Sequence, residues 1–195
     1  EGDYLRTTPP FIEGESAHFL AVNRGKKSVA LDLKHPLGLA AFLRLVPSAD
    51  ALLESFKPGT AERLGIGYEA LHAVNPRLVY CSLSGYGQTG PYRERAGHDI
   101  NYIALAGLLG LTGLRHGPPV IPGTQVGDLA GGMAAAIGIL AGVLAARSTG
   151  QGRYVDVSMY DVVCSWLGAH AVPCYQATGQ VPGREDLPLT GLVPC

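Results

Sequence analysis

Charged residues are scarce in this chain. Only 16% of its 195 residues are charged, and 15 lysines and arginines nearly balance 16 acidic residues, which leaves a net charge of −1. No basic stripe alternates with aromatic residues, so nucleic acid is not an expected partner. Hydrophobic residues make up 47% of the chain, which excludes a disordered chain and indicates a large buried or interfacial area.

Cysteine is also scarce. The four cysteines stand at positions 81, 164, 174 and 195, and no pair has the spacing of metal ligands. We therefore expect no metal site and interpret them as buried thiols in a reducing compartment. The chain opens with the polar EGDYLRTTPP, and its longest apolar passage, 130–146, is rich in Gly and Ala, which favours a packed helix over a membrane span. These features predict a cytoplasmic protein with no membrane partner.

Short apolar runs alternate with helical patterns along the chain. Residues 1–20 lack a period and are predicted to be extended coil. The runs predict strands at 28–33, 51–55, 78–83 and 153–158, with helices between them that include 37–46, and a last helix at 159–171. This alternation predicts an α/β fold with a doubly wound, mostly parallel, Rossmann-like sheet. Ligands of such sheets bind beyond the carboxyl ends of the strands.

A glycine-rich loop follows the third predicted strand. Gly85, Gly87 and Gly90 match GxGxxG, but Pro91 and the charged residues 93–95 come next. A dinucleotide site needs an apolar helix and an acidic ribose partner there. We therefore do not interpret this loop as a dinucleotide site.

Two residues suited to acid–base chemistry, His98 and Asp128, stand thirty positions apart. Each follows a glycine and precedes an apolar helical pattern, so each side chain can project from a helix N-terminus towards a ligand. Both also have a structural interpretation, because Asp is a favoured N-cap residue and His98 can be a capping or core residue with Asp99 as its partner. The helix after Asp128 is the better defined, since apolar residues recur at spacings of three and four: Leu129, Met133, Ile137, Leu140 and Leu144.

Four segments, in order, resemble the class III coenzyme A (CoA) transferase family: NRGKKSVALDLKHP, ESFKPGTAERLGIGYEALHAVNPRLVYCSLSGYGQTGP, GHDINYIALAG and GDLAGGMAAAIGILAGVLAARSTGQGRYVDVSM. The GHDINY form is most similar to the α-methylacyl-CoA racemase branch. The resemblance implies a large α/β CoA-binding domain over 1–171, without the family's first strand and helix. It implies that 172–195 begin a linker to a small domain that is absent, and that two chains interlock as a homodimer.

The resemblance also implies a set of functional residues. His98 and Asp128 match the catalytic pair of the racemase branch. CoA would lie along Leu31, Asp32, Leu33 and Lys34, with Arg63 at its phosphates, and the thioester end would be lined by Gly97, Asp99, Ile100, Asn101 and Tyr102. CoA enters as part of the acyl-CoA substrate, so no separate cofactor is expected. One departure is Thr124, where the compared racemases have an Asn that is expected to hydrogen-bond the catalytic carboxylate.

The resulting hypothesis is a racemase that interconverts the 2-epimers of 2-methylacyl-CoA thioesters. His98 and Asp128 would remove the α-proton from one face and return a proton to the other, and N–H groups at the helix start would stabilise the enolate. Two alternatives stay open. One is a CoA transferase with Asp128 as nucleophile, against which His98 counts because that position usually differs in the transferase branch. The other is a truncated, non-catalytic acyl-CoA-binding homologue. The sequence does not specify the acyl group.

Overall fold

The structure, a computed structural model, describes residues 2–186. The chain divides into two compact units, Glu1–Phe42 and Leu43–Cys195. The boundary expected at 171/172, between the large domain and a linker, is not the boundary between these two units, and it stays a prediction.

The first unit begins with short elements instead of the extended coil predicted for 1–20. A 3₁₀ turn (Tyr4–Thr7) precedes an antiparallel pair of two-residue strands, β1 (Phe11–Ile12) and β2 (Glu15–Ser16), and helix α1 (Ala17–Asn23) follows. The buried Ser16 joins these pieces, because its Oγ donates to the Thr8 carbonyl at 2.6 Å and accepts the Phe19 N–H at 3.3 Å.

The prediction of a strand at 28–33 is wrong. Residues 26–32 have no regular structure and Val29 is 66% exposed, because no strand among residues 2–186 pairs with this segment. Instead, Asp32 forms a turn: its carboxylate accepts the Lys34 N–H at 2.9 Å and its carbonyl accepts the His35 N–H at 3.1 Å. The turn leads into helix α2 (Pro36–Leu43), which has proline at its first position and is shorter than predicted.

The second unit is built on a parallel sheet, which confirms the predicted α/β class. Its order is β3 (Ala51–Glu54), β4 (Val79–Ser84), β5 (Tyr154–Ser158). Three of the four predicted strands are thereby confirmed, with β4 central and almost wholly buried. Between β3 and β4 lie α3 (Thr60–Arg63) and α4 (Tyr68–Val74). Between β4 and β5 lie α5 (Asp99–Leu105), α6 (Leu108–Leu111) and α7 (Val126–Thr149).

Two helices follow β5. They are α8 (Met159–Leu167) and α9 (Ala171–Thr178), so the helix predicted at 159–171 ends early. The segment 172–195, expected to begin a linker, lies partly outside the described residues.

Helix α7 covers one face of the sheet with its smallest residues. A Cβ on Gly142 would lie 2.8 Å from Val79 Cγ1, and a Cβ on Gly138 would lie 2.8 Å from Val155 Cγ1. Ala135 packs in the same layer against Cys81 of β4. The large apolar residues that predicted the helix point away from the sheet, because only glycine and alanine allow so close an approach. Each is more than half exposed: Leu129, Met133, Ile137, Leu140 and Leu144.

By length and composition, α7 is the one helix in the described part of the chain that could cross a membrane. Its small residues pack on β4 and β5, and it also contacts α5 and α8. The cytoplasmic location stays a prediction.

Candidate active site at the junction of α5 and α7

The N-terminus of α7 is capped from another helix. Gln125, at the N-cap position, makes no side-chain hydrogen bond to the helix. Asp99, the first residue of α5, takes this role: its Oδ1 accepts the Gly127 N–H at 2.6 Å and the Asp128 N–H at 3.1 Å. Asp128 is therefore not the N-cap but the third residue of the helix. Its carboxylate is not used to cap the helix that carries it.

The glycine before Asp128 allows the two helices to meet. A Cβ on Gly127 would lie 3.2 Å from Asp99 Oδ1 and 3.4 Å from Ile103 Cγ2. A larger residue there would push α5 away from the start of α7. The Gly-Asp pair thus combines a contact position with a carboxylate that does not cap its own helix.

His98 stands at the N-cap of α5. Its backbone N–H donates to Asn101 Oδ1 at 2.9 Å, and its carbonyl accepts the Asn101 N–H at 2.8 Å. His98, Ile100 and Asn101 are exposed. Through these two hydrogen bonds to His98, Asn101 stabilises the first turn of α5.

Tyr102 fixes the loop that leads to His98. Its hydroxyl donates to the Gly97 carbonyl at 2.6 Å, and its buried ring lies so close to Gly85 and Gly97 that a Cβ on either would collide with it. The ring also meets Tyr86 edge-on, with centroids 5.2 Å apart. Gly97 and Tyr102 therefore hold α5 against the loop that follows β4.

The Asp128 carboxyl has two charged neighbours, His98 and Asp99. Partial burial raises the pKa of Asp128 above its usual value, the negative charge of Asp99 raises it further, and the positive charge of His98 lowers it. Burial likewise raises the pKa of Tyr102, with contributions from Tyr86, Asp128 and Asp99. The structure thus brings His98 and Asp128 to one place. The N–H groups of Gly127 and Asp128, which were expected to stabilise an enolate, are occupied by Asp99.

The site lies at the carboxyl edge of the sheet. Gly131, near the start of α7, lies against Leu83 at the end of β4, whereas Gly142 lies against Val79 at its beginning. The N-terminus of α7 therefore points to the edge where α/β proteins bind ligands.

Asp156, which no sequence pattern indicated, fixes the glycine-rich loop at this edge. Its two carboxylate oxygens accept the Gln88 N–H at 3.0 and 3.3 Å, and Gly87 has a φ of +80°. Asp156 lies on β5, 68 positions from Gln88, so no local pattern could indicate the contact.

Arg63 is exposed at the end of α3. Its Nη2 donates to Thr60 Oγ1 at 2.7 Å. Within residues 2–186 the ion pairs are Lys57–Glu94 and Arg93–Glu94, so Arg63 forms none with a carboxylate there. Its guanidinium has donors available for a phosphate.

The first unit contains a cleft of about 750 Å³ that includes two of the predicted CoA-binding residues, Leu31 and Asp32. Arg6, Lys26 and Lys27 contribute positive charge to its lining, and Asp3 and Asp32 contribute negative charge. The Arg6 guanidinium stacks 3.9 Å above the centroid of the Phe19 ring. Leu33 and Lys34 are not among the lining residues. Arg6 could not be connected with this region from the sequence, because the contact forms only in the folded unit.

A metal centre is not part of the described site. No group of three His, Cys, Asp or Glu side chains in the described part of the chain could hold a metal ion.

The molecule is an α/β protein with a parallel sheet, and the Asp128 carboxylate and the His98 imidazole lie at the carboxyl edge of that sheet. Sequence comparison identifies its family. Residues 1–195 match the model of CoA-transferase family III, and the chain belongs to this family.

Relatives and solved structures agree with this assignment. The chain is 44% identical over 184 residues to the acetyl-CoA:oxalate CoA-transferase of Acetobacter aceti, covering 94% of this chain and 47% of that protein. It is 42% identical over 159 residues to the succinyl-CoA:glutarate CoA-transferase of Homo sapiens, covering 81% and 36%. The crystal structure of a CAIB/BAIF family protein from Brucella suis matches with a TM-score of 0.87 at 37% identity, covering 94% and 50%. The chain spans about half the length of the curated relatives it matches, or less.

These names correct the predicted activity. Both relatives are CoA-transferases, so the racemase interpretation is wrong. It depended on His98 within GHDINY, and a single residue at the edge of a shared site does not determine which reaction follows. The assignment of His98 and Asp128 as a proton-transferring pair depended on the racemase interpretation and is withdrawn with it.

Proposed function

We propose that the protein transfers CoA from an acyl-CoA donor to a free carboxylic acid, with Asp128 as the nucleophile. The observation that carries this proposal is the capping of α7 by Asp99, which leaves the Asp128 carboxylate free at the N-terminus of a long helix. The transferase names of the relatives support the same reaction class.

The reaction needs only one carboxylate and returns it unchanged. The Asp128 carboxylate attacks the thioester carbonyl of the donor, and CoA leaves as its thiolate while a mixed anhydride forms. The thiolate then attacks the Asp128 carbonyl, which releases the donor acid as a carboxylate and forms an aspartyl-CoA thioester. The acceptor carboxylate attacks this thioester and expels the thiolate, which attacks the acceptor's acyl carbonyl and frees Asp128.

The cleft of the first unit is proposed to bind CoA. It combines the Leu31 side chain with the positive charges of Arg6, Lys26 and Lys27, which suits the adenosine and phosphate parts of CoA. Arg63 is proposed separately as a phosphate-binding residue, because its guanidinium is a planar, permanently charged donor. Gly97, Ile100 and Asn101 surround His98 and are proposed to line the thioester end.

The acceptor is proposed to be a short dicarboxylic acid, because the two relatives are named for oxalate and glutarate. We also propose the interlocked homodimer that the family resemblance implies. The outward face of α7 supports it, since five large apolar side chains there are more than half exposed.

Substitution of Asp128 tests the mechanism. Asp128→Asn should lower transfer by about 10⁴-fold or more, as expected when a covalent nucleophile is removed. Asp161→Asn is the matched control, because Asp161 is also an exposed third residue of a helix, α8, and should leave the rate unchanged. His98→Ala should remain active, since the histidine forms no bond in this scheme.

The assay follows CoA transfer from succinyl-CoA or acetyl-CoA to oxalate, glutarate and a monocarboxylic acid. Hydroxylamine should trap the acylated enzyme as a hydroxamate at Asp128, which mass spectrometry of peptides locates. Trapping at another residue, or full transfer by Asp128→Asn, would contradict the mechanism. Equal rates with mono- and dicarboxylic acceptors would contradict the proposed substrate class alone.

A further inference from the structure

We infer that Asp99 is the positioning residue of this site: it holds the first turn of α7 so that the Asp128 carboxylate projects towards the substrate. The inference rests on the proposed nucleophilic role of Asp128. It gives Asp99 a role different from the substrate contact that the family resemblance implied.

The first turn of a helix has N–H groups without partners inside the helix, and an acidic side chain in that turn can fold back towards them. In α8 a local residue serves one of these groups, since Ser158 Oγ accepts the Asp161 N–H at 3.1 Å. In α7 the equivalent N–H, that of Asp128, is bound by Asp99 from 29 positions earlier. Asp99 therefore removes the donors that would compete for the Asp128 carboxylate.

The same contact ties Asp128 to the rest of the site. Asp99 directly follows His98 and begins α5, and Tyr102 anchors α5 through its hydrogen bond to the Gly97 carbonyl. Gly127 lets Asp99 reach both amides, because a Cβ there would lie 3.2 Å from Asp99 Oδ1. A shift of α5 would move the cap and the first turn of α7 together. Positioning of this kind matters because an error of about 1 Å at a reacting group can cost roughly 10²-fold in rate.

Asp99 also adds charge beside the nucleophile. The groups that act on the Asp128 carboxyl are His98 and Asp99, and Tyr102 is a further ionisable neighbour. The negative charge of Asp99 raises the pKa of Asp128, second to burial. A more basic carboxylate is a stronger nucleophile as long as it is ionised at the working pH.

Two substitutions separate the hydrogen bonds from the charge. Asp99→Asn keeps an oxygen that can accept both N–H groups but removes the charge, whereas Asp99→Ala removes both. We expect Asp99→Ala to lower kcat by about 10²-fold with little change in KM for the acyl-CoA. We expect Asp99→Asn to stay within about tenfold of the wild-type kcat. The acid limb of its pH–rate profile should move to lower pH, since losing the neighbouring negative charge lowers the pKa of Asp128.

Ser158→Ala is the control for a lost helix cap without lost positioning. It should reduce stability and leave kcat within about twofold, because α8 carries no proposed nucleophile. A fall in kcat equal to that of Asp99→Ala would assign the effect to general destabilisation and overturn the inference.

Two further measurements do not depend on activity. NMR titration of the Asp128 carboxyl should give a lower pKa in Asp99→Asn than in the wild type. Amide exchange at Gly127 and Asp128 should stay slow in Asp99→Asn and become fast in Asp99→Ala. These results would uphold the position of Asp99 even if no variant transferred CoA, which would refute only the proposed function. Unchanged exchange in Asp99→Ala, or an unchanged Asp128 titration in Asp99→Asn, would overturn the inference.

Discussion

The contact between α7 and the sheet predicts opposite effects for two Gly→Ala substitutions in one helix. A Cβ on Gly142 would lie 2.8 Å from Val79 Cγ1 and 3.1 Å from its Cγ2. Val79 is fully buried on the central strand, and its branched side chain has little rotamer freedom to move away. Gly132 lies on the exposed side of α7, where a Cβ would meet nothing within 4 Å.

The expected free energies follow from two opposing effects. Replacing glycine by alanine inside a helix stabilises it by about 1 kcal/mol. Inserting a methyl group into a close-packed contact costs about 1–3 kcal/mol. Gly132→Ala should therefore stabilise the protein by about 1 kcal/mol, and Gly142→Ala should destabilise it by about 0–2 kcal/mol. The two variants should differ by about 1–3 kcal/mol.

Urea unfolding of both variants beside the wild type measures this difference, with equal m-values as the check that only stability has changed. Equal stability of the two variants, or a more stable Gly142→Ala, would refute the close packing of this face of α7 on β4.

Two further predictions concern binding and assembly. Arg63→Ala should weaken the binding of free CoA by about tenfold or more in calorimetry, because a charge-assisted hydrogen bond is worth about 1.5–3 kcal/mol. Arg44→Ala, at another exposed arginine, is the control and should leave the affinity unchanged. An unchanged affinity in Arg63→Ala would remove Arg63 from the binding site. Light scattering at micromolar concentration should give a dimer, because the apolar outward face of α7 is exposed in the single chain, and a monomer would contradict the proposed assembly.

The sheet could be predicted because its signals are local. β4 is a continuous apolar run, and β3 and β5 are short runs bounded by turn residues, so each is recognisable without knowledge of its neighbours. The segment 28–33 is also a short run rich in apolar residues, but a strand needs a neighbouring strand to pair with, and local composition does not show whether one is present. Asp32 instead forms a turn with its own neighbours in the chain.

The orientation of α7 could not be predicted from hydrophobic periodicity. Both faces of this helix are apolar, and they differ in the size of the side chains and not in their polarity. Periodicity selects the large residues, such as Leu140, as the buried face. The sheet selects the small ones, such as Gly142, because they allow the closest contact.

The roles of the site residues stay predictions, and the contacts around them could not be predicted. The N-cap propensity of Asp left that role open for Asp128, but the structure gives it to Asp99. The true cap, Asp99, is 28 positions from Gly127, and sequence patterns do not detect a contact over that distance. The choice between reactions failed for a different reason, since it depended on the short GHDINY motif, whereas the named relatives are CoA-transferases.

The distant cap of α7 also has a consequence for the order of folding. A helix with a local cap can form its first turn before tertiary contacts exist, but the first turn of α7 gains its cap only when α5 docks, which closes a loop of 28 residues. The body of α7 can form earlier, through its contacts with the sheet. We therefore expect the first turn of α7, and the proposed nucleophile with it, to reach its final geometry late in folding. A partly folded chain would then have its sheet in place while the Asp128 carboxylate still pointed in many directions.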